Sequence, residues 1–250
     1  MNFLITGGSR GLGRQLVLDA IAAGHGVAFT FRSDETAAQA TVAQARLIDV
    51  ELQCRAYRLD QRDSAAVESV CDQVLEDFDD VQALVNNAGV NQNGLAISAS
   101  NDQWQDILQT NLSGPFYLSR ALLPHFLGRR SGRFIHISSV AMHGASGQVC
   151  YAASKAGLIG LSGTLAREYG GRGVTSNILL LGLLAGGMGS GEEASAASTA
   201  NREIWRKLCP AGREGKLSEV SGLVTFLASE AASFVNGQAI SVSGGMDWVP

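Results

Sequence analysis

No long run of like charge, no pair of closely spaced cysteines and no extended apolar stretch occurs in this 250-residue chain, and each absence removes a class of function. The formal net charge of −4 is spread through 17% charged residues without a basic block, so nucleic acid is not an expected partner. The amino terminus runs straight into Phe3-Leu4-Ile5, with no basic flank and no long apolar region before the glycines. That pattern offers neither a signal peptide nor a membrane span and points to a cytoplasmic protein. Cys54, Cys71, Cys150 and Cys209 form no C-x-x-C pair, which argues against zinc, or any other metal, and against a disulfide framework. Cys150 abuts Tyr151, but sequence neighbours on a helix point different ways, so it reads as an incidental thiol.

What is present is an alternation of short apolar runs and longer amphipathic stretches. Phe3 to Thr6 precedes a helix-like Leu12 to Ala23, Gly26 to Phe31 precedes Asp34 to Val50, and Cys54 to Leu59 precedes Ala65 to Phe78. The pattern continues through Ala83 to Asn86, Asn101 to Leu127, Arg133 to Ser138, Tyr151 to Tyr169, Thr175 to Leu181, Leu217 to Ala228 and Ala239 to Val242. Strands separated by helix-length connectors favour parallel pairing, so residues 1–250 predict one Rossmann-like, doubly wound α/β domain. Its seven-stranded, mainly parallel sheet carries helices on both faces and a ligand at the carboxyl ends of the strands. No interdomain linker is evident. Gly186 to Ala200 is rich in Gly, Ser, Ala and Glu and leads into the helix-like Asn201 to Leu208, so residues 186–208 are expected to form a substrate lid.

The first strand runs into Thr6-Gly7-Gly8-Ser9-Arg10-Gly11-Leu12-Gly13, which puts Gly7, Gly11 and Gly13 at the turn into a helix. Glycine there lets backbone N–H groups and the helix dipole approach a pyrophosphate, with Ser9, Arg10 and Leu12 alongside. Asn87, Ala88 and Gly89 follow the fourth strand, where small and amide side chains approach a ribose. Asp60, ending the third strand, reads either as an acceptor for an adenine amino group or as a helix cap or turn residue. The second strand ends in Thr30-Phe31-Arg32-Ser33 with no acidic residue for an unmodified ribose hydroxyl. Arg32, Arg10 and Ser33 suit a 2′-phosphate, which favours NADP(H) over NAD(H).

Tyr151-Ala152-Ala153-Ser154-Lys155 opens a helix in which the phenol and the ammonium share a face at i and i+4. A nearby positive charge lowers a phenol from its reference pKa of about 10, which suits proton exchange. Upstream lie His136-Ile137-Ser138-Ser139 at a strand end and Asn111 in the preceding helix. Taken in order, the turn at 6–13, the N-N-A-G at 86–89, Asn111, the serine pair, and Tyr151 with Lys155 resemble the short-chain dehydrogenase/reductase family over nearly the whole chain.

The resemblance implies a catalytic set of Asn111, a serine, Tyr151 and Lys155. Tyr151 would protonate the nascent alkoxide, the serine would hold the carbonyl oxygen, Lys155 would bind the nicotinamide ribose, and Asn111 would hold a relay water. Counting from the strand start at Gly132-Arg133 favours Ser139, whereas the family's usual interval before the tyrosine favours Ser138. A loop changes length more easily than a strand changes its alternation, so Ser139 is the choice. After the sixth strand the family's proline and threonine are missing from Leu181-Gly182-Leu183-Leu184-Ala185-Gly186, leaving Gly182 and the Leu184 backbone for the cofactor carboxamide.

Within the family, residues 111–119, 151–168 and 237–245 are most similar to 3-oxoacyl-[acyl-carrier-protein] reductases. This implies reduction of a β-ketoacyl thioester in fatty-acid or polyketide-like biosynthesis, with acyl carrier protein docking at Arg130 and Arg172, aided by Arg129. It also implies a homotetramer built through the helices at 101–127 and 151–169 and the segment Gly237-Gln238-Ala239-Ile240. The alternatives are a reductase or dehydrogenase of a free small alcohol or ketone, and a dinucleotide-binding protein without turnover.

Overall fold

Apolar residues stand at consecutive positions in Phe3-Leu4-Ile5 and in Val27-Ala28-Phe29. A strand turns alternate side chains to opposite faces, so such runs require cover on both sides. The computed structural model, which describes residues 1–188 and 196–246, supplies it. Phe3, Ile5, Val27 and Phe29 lie in one core, and Leu4, Ala28, Leu84 and Phe134 lie in a second core across the sheet.

The elements follow in the order β1 (Asn2–Ile5), α1 (Gly11–Ala22), β2 (Gly26–Phe31), α2 (Glu35–Ile48), β3 (Cys54–Arg58), α3 (Ser64–Phe78), β4 (Ala83–Asn86), α4 (Asn101–Leu108), α5 (Gly114–Arg129), β5 (Gly132–Ser139), α6 (Val149–Tyr169), β6 (Val174–Leu181), α7 (Ala196–Leu208), α8 (Ser218–Ala228) and β7 (Ala239–Val242). The strands form one seven-stranded sheet in the order β3-β2-β1-β4-β5-β6-β7, and every pairing is parallel. Chain progress reverses between β1 and β4, and the carboxyl ends of those two strands carry the glycine turn and the N-N-A-G segment. Among the described residues no helix is long and apolar enough to cross a membrane.

Local sequence explains several helix starts. Asp34 accepts a hydrogen bond from Ala37 N at 2.9 Å and caps α2, Asp63 caps α3, and Ser100 with Gln103 forms a reciprocal capping box on α4. The long helical stretch expected at 101–127 is not uniform. A π turn over Gln109–Ser113 separates α4 from α5, and α5 runs on to Arg129. The lid expected over 186–208 is described only in part: residues 189–195 lie outside the described residues, and α7 makes up its second half.

One face of α6 is buried through Tyr151, Lys155, Leu158, Ser162 and Leu165, spaced as a helical stripe. Beneath it runs a buried polar chain. Asn86 Nδ2 meets Ser119 Oγ at 3.4 Å and His136 Nδ1 at 3.1 Å. His136 Nε2 meets Ser176 Oγ at 3.3 Å, which meets Ser162 Oγ at 2.8 Å. His136 thus joins the chain through both ring nitrogens. Burial, aided by the charge of Lys155, lowers the His136 pKa to about 3, so the ring is neutral.

That shift links stability to acid. The unfolded imidazole takes up a proton near its reference pKa of about 6.5 while the folded one resists, so His136 costs the fold stability as pH falls from there toward about 3. The expected outcome is that His136→Asn, which cannot titrate, loses less of its urea midpoint than wild type between about pH 7 and about pH 4.5. Parallel losses in the two proteins would refute the assignment.

Candidate active site

The glycine turn closes between β1 and α1. Gly7 has φ +70, and a Cβ added at Gly13 would lie 2.0 Å from Gly7 O and 2.6 Å from Asn87 Nδ2, so a side chain at 13 would collapse the turn. Arg10 precedes α1 with extended φ/ψ and makes no side-chain cap, and no acidic residue stands in the first turn of the helix. The turn thus presents the N–H groups of a helix start with no internal anion to satisfy them, which fits the pyrophosphate of a dinucleotide. Thr6 fastens it to the N-N-A-G segment: its hydroxyl accepts from Asn87 N at 3.0 Å and Ala88 N at 2.9 Å, and Asn87 Nδ2 donates to Thr6 O at 2.8 Å. Ser9 is buried, and its carbonyl accepts from Thr41 Oγ1 at 3.3 Å. Gly11 and Leu12 begin α1.

At the neighbouring strand tips, Arg32 and Ser33 are exposed, and Arg58 Nε reaches the Arg32 carbonyl at 3.4 Å. Neither Arg10 nor Arg32 is ion-paired among the described residues, so both guanidiniums remain available to an added phosphate. Of the two expectations for Asp60, an adenine acceptor or a cap or turn residue, its local contacts are those of the second. Arg62 Nε grips its carboxylate at 2.9 and 3.1 Å, and Arg62 N donates to it at 3.1 Å, which holds the carboxyl below its usual range. Arg62 also bridges to Asp106 on α4. The structure thus shows the turn: Asp60 follows the end of β3 and accepts from the Arg62 backbone and guanidinium.

Tyr151, Lys155, Ser139 and Asn111 converge at the carboxyl end of β5. Lys155 is buried, donates from Nζ to Ile137 O at 2.8 Å, and lies 5.7 Å from the centre of the Tyr151 ring. The two serines separate cleanly. Ser138 is buried and donates to the Lys155 carbonyl at 3.1 Å, while the Ser139 hydroxyl accepts from Ala141 N at 3.1 Å and faces the Tyr151 phenol. Asn111 sits inside the π turn, with Oδ1 accepting from Val90 N at 2.8 Å and Nδ2 donating to Val90 O at 2.9 Å and Ser154 Oγ at 3.0 Å. Gly89 lies between these groups, since a Cβ there would come within 3.2 Å of Asn111 Oδ1 and 3.4 Å of Lys155 Nζ.

The electrostatics differ from expectation in one respect. The proximity of Lys155 does not lower the phenol; burial pushes Tyr151 up to about 12, offset in part by the Ser139 hydroxyl. Burial also brings Lys155 down to about 8. The physical reason is that a low-dielectric site disfavours both charged forms, and the ammonium hydrogen-bonds a backbone carbonyl rather than the phenol.

Gly182 N donates to Val242 O at 3.1 Å, joining the end of β6 to β7. The Leu184 carbonyl is committed, accepting from Gly187 N at 3.2 Å and Arg202 Nη2 at 3.0 Å, so only its N–H is left toward a carboxamide. Arg202 also pairs with Glu214 at 2.7 Å and anchors α7 where the family's threonine is missing. Arg130 and Arg172 are exposed, and Arg130 O lies so near Gly173 that a Cβ there would be 2.0 Å away. Both stand before the starts of β5 and β6, at the end of the sheet opposite Ser139, which lies at the far end of the eight-residue β5, about 23 Å along the strand. Thr6, Gln61, Arg62 and Arg202 were not singled out from the sequence as site residues. Only Thr6 carried a signal, as the first residue of the glycine turn.

Comparison with known proteins places this geometry. A family model described as enoyl-(acyl carrier protein) reductase matches residues 7–247. The chain is 38% identical over 244 residues to the 3-oxoacyl-[acyl-carrier-protein] reductase FabG of Salmonella typhimurium, covering 97% of this chain and 96% of the relative. It is 38% identical over 252 residues to the protein of the same name from Escherichia coli K12, covering 98% and 99%. Among solved structures it resembles levodione reductase, with TM-score 0.93, 27% identity and coverage of 100% and 98%. It also resembles a mutant of a Serratia marcescens short-chain dehydrogenase/reductase, with TM-score 0.88, 30% identity and coverage of 98% and 97%. With a parallel sheet, a glycine turn open to a dinucleotide, and a buried tyrosine and lysine one helical turn apart, the chain belongs to the short-chain dehydrogenase/reductase family and is an oxidoreductase.

Proposed function

We propose that the protein reduces the ketone of a 3-oxoacyl thioester carried on acyl carrier protein, using NADPH. The observation that carries this reading is the convergence of a protonated Tyr151, the Ser139 hydroxyl facing it and a buried Lys155 at the open end of the sheet. The reduced nicotinamide supplies the hydride when bound. Ser139 Oγ holds the carbonyl oxygen, and Tyr151 Oη delivers its proton to that oxygen as the alkoxide forms. The carbonyl carbon gains the hydride and its oxygen the proton, giving the hydroxyacyl product. A phenol held near 12 is still a much stronger acid than an alcohol, so burial keeps Tyr151 loaded without stopping the transfer. Lys155, charged below about pH 8, binds the nicotinamide ribose hydroxyls and restores the proton through Asn111 and a water. The Asn111 side chain is engaged with Val90 and Ser154, which holds the residue beside Gly89.

The glycine turn from Gly7 to Gly13 with Ser9 holds the pyrophosphate, Asn87 to Gly89 the ribose, and Gly182 and the Leu184 N–H the carboxamide end. Arg10, Arg32 and Ser33 take the 2′-phosphate, with Arg58 adding charge nearby. Of the expected lid, the described part, residues 186–188 and α7, covers the substrate. Arg130 and Arg172, with Arg129, which pairs with Asp80 at 2.8 Å, dock the acidic carrier. Because that patch lies at the end of the sheet away from Tyr151, docking there serves the site of a neighbouring copy in a cytoplasmic homotetramer. Reduction of a free ketone is the second reading, favoured by the close structural likeness to levodione reductase.

Three outcomes test these assignments. Following NADPH oxidation with acetoacetyl thioester on carrier protein and on a small thiol, Tyr151→Phe is expected to reduce kcat by about 10²- to 10⁴-fold with NADPH binding retained. Absence of wild-type turnover with either thioester would send the reading to free ketones. Arg32→Glu is expected to raise the KM for NADPH by about tenfold or more while leaving that for NADH within a few-fold; an unchanged preference would remove Arg32 from the phosphate site. Arg130→Glu with Arg172→Glu is expected to raise the KM for the carrier-bound thioester about tenfold and leave the small thioester unaffected. Equal effects on the two substrates would sink the docking assignment.

A further inference from the structure

Gln61 follows Asp60 and is only 6% exposed, an uncommon fate for a glutamine. Its Nε2 donates to Thr110 O at 2.6 Å and lies 3.5 Å from Ala88 O. Both partners are carbonyls, which fixes the amide with its nitrogen toward them. The side chain therefore stands where three segments meet: the loop after β3, the N-N-A-G segment after β4, and the π turn that carries Asn111.

The π turn explains why a donor is needed there. Gly114 N donates to Gln109 O, five residues back, so it is not left for Thr110. The next bond in the same register would run from residue 115 to Thr110 O, but residue 115 is proline and has no N–H. The α and π registers therefore supply Thr110 O with no donor, and a buried carbonyl without a partner is costly. Gln61 Nε2 fills that place. Room for it comes from Gly114, where a Cβ would lie 2.7 Å from Gln61 Cγ and 2.9 Å from Cδ. Gln61, Pro115 and Gly114 thus form one arrangement: a missing donor, a side chain that replaces it, and a missing methyl group that admits the side chain.

We propose that Gln61 is a positioning residue, holding the π turn open and so setting Asn111 against Val90 and Ser154 from the loop that also carries Asp60. The effect on turnover rests on the catalytic reading of Asn111 given above; the effect on the turn does not. Gln61 touches no reacting atom, so its removal should change the rate of the chemical step more than cofactor binding. A thioether of similar length, as in Gln61→Met, keeps the volume beside Gly114 and removes both donated hydrogens.

The test measures hydrogen exchange of the 109–116 segment by mass spectrometry in the full chain, alongside the thermal midpoint, kcat with acetoacetyl thioester, and the KM for NADPH. For Gln61→Met the expected result is exchange in 109–116 faster by about tenfold, kcat lower by about tenfold and the KM for NADPH within about threefold of wild type. Unchanged exchange in that segment would overturn the inference, as would faster exchange with kcat unaltered. If Gln61→Met does not fold, Gly114→Ala tests the same contact from the other side, since the added methyl displaces the Gln61 side chain and should produce the same exchange signature. A wild-type chain inert toward thioesters, in which Gln61→Met still loosens 109–116, would support the Gln61 contact and overturn the substrate assignment instead.

Discussion

The seating of α6 on β5 and β6 is the constraint on which the site depends. Its buried stripe brings Tyr151 and Lys155 against the sheet, but apolar contact alone tolerates sliding and rotation. Polar pins remove that freedom: Lys155 Nζ to Ile137 O, Ser138 Oγ to Lys155 O, and Ser162 to Ser176 within the chain that continues to His136 and Asn86. Each pin has its full value only at one register, because a buried donor displaced by a residue is left unpaired. Ser138 is held to the α6 backbone, while Ser139, the last residue of β5, faces the phenol at the start of the same helix.

Burial then sets the charges. Removing water raises the phenol and lowers the ammonium, which spreads the two groups to about 12 and about 8. At neutral pH the phenol holds its proton and the lysine holds its charge, the combination that reduction of a carbonyl needs. His136, neutral under Lys155, fills the space with a dipole rather than a second charge. The opposite end of the sheet has another character: the arginines before β5 and β6 are exposed to solvent, where charge acts on encounter rather than on chemistry.

Much of this was legible beforehand because it is written in local patterns. Apolar runs at consecutive positions, separated by helix-length stretches, require a parallel sheet covered on both faces, and the structure has one. The glycines from 7 to 13 mark a turn that side chains would block, and the i, i+4 spacing places Tyr151 and Lys155 on one face whatever the rest of the chain does. Less legible was anything that depends on a partner distant in sequence. The expected lowering of the phenol by its lysine neighbour left out burial, which dominates the Tyr151 shift, while the ammonium is engaged by Ile137 O.

The sequence by itself determined the order of the elements, the open turn at the first strand and the pairing of phenol with ammonium, since each follows from spacings of a few residues. The tertiary structure alone decided which serine faces Tyr151, that Arg62 bridges from the β3 end to Asp106 on α4, that the Leu184 carbonyl is taken by Arg202, and that Gln61 completes the turn around Asn111. These are contacts between residues far apart in the chain or side-chain choices among competing partners. Their energies depend on burial and geometry that exist only once the sheet and α6 have come together.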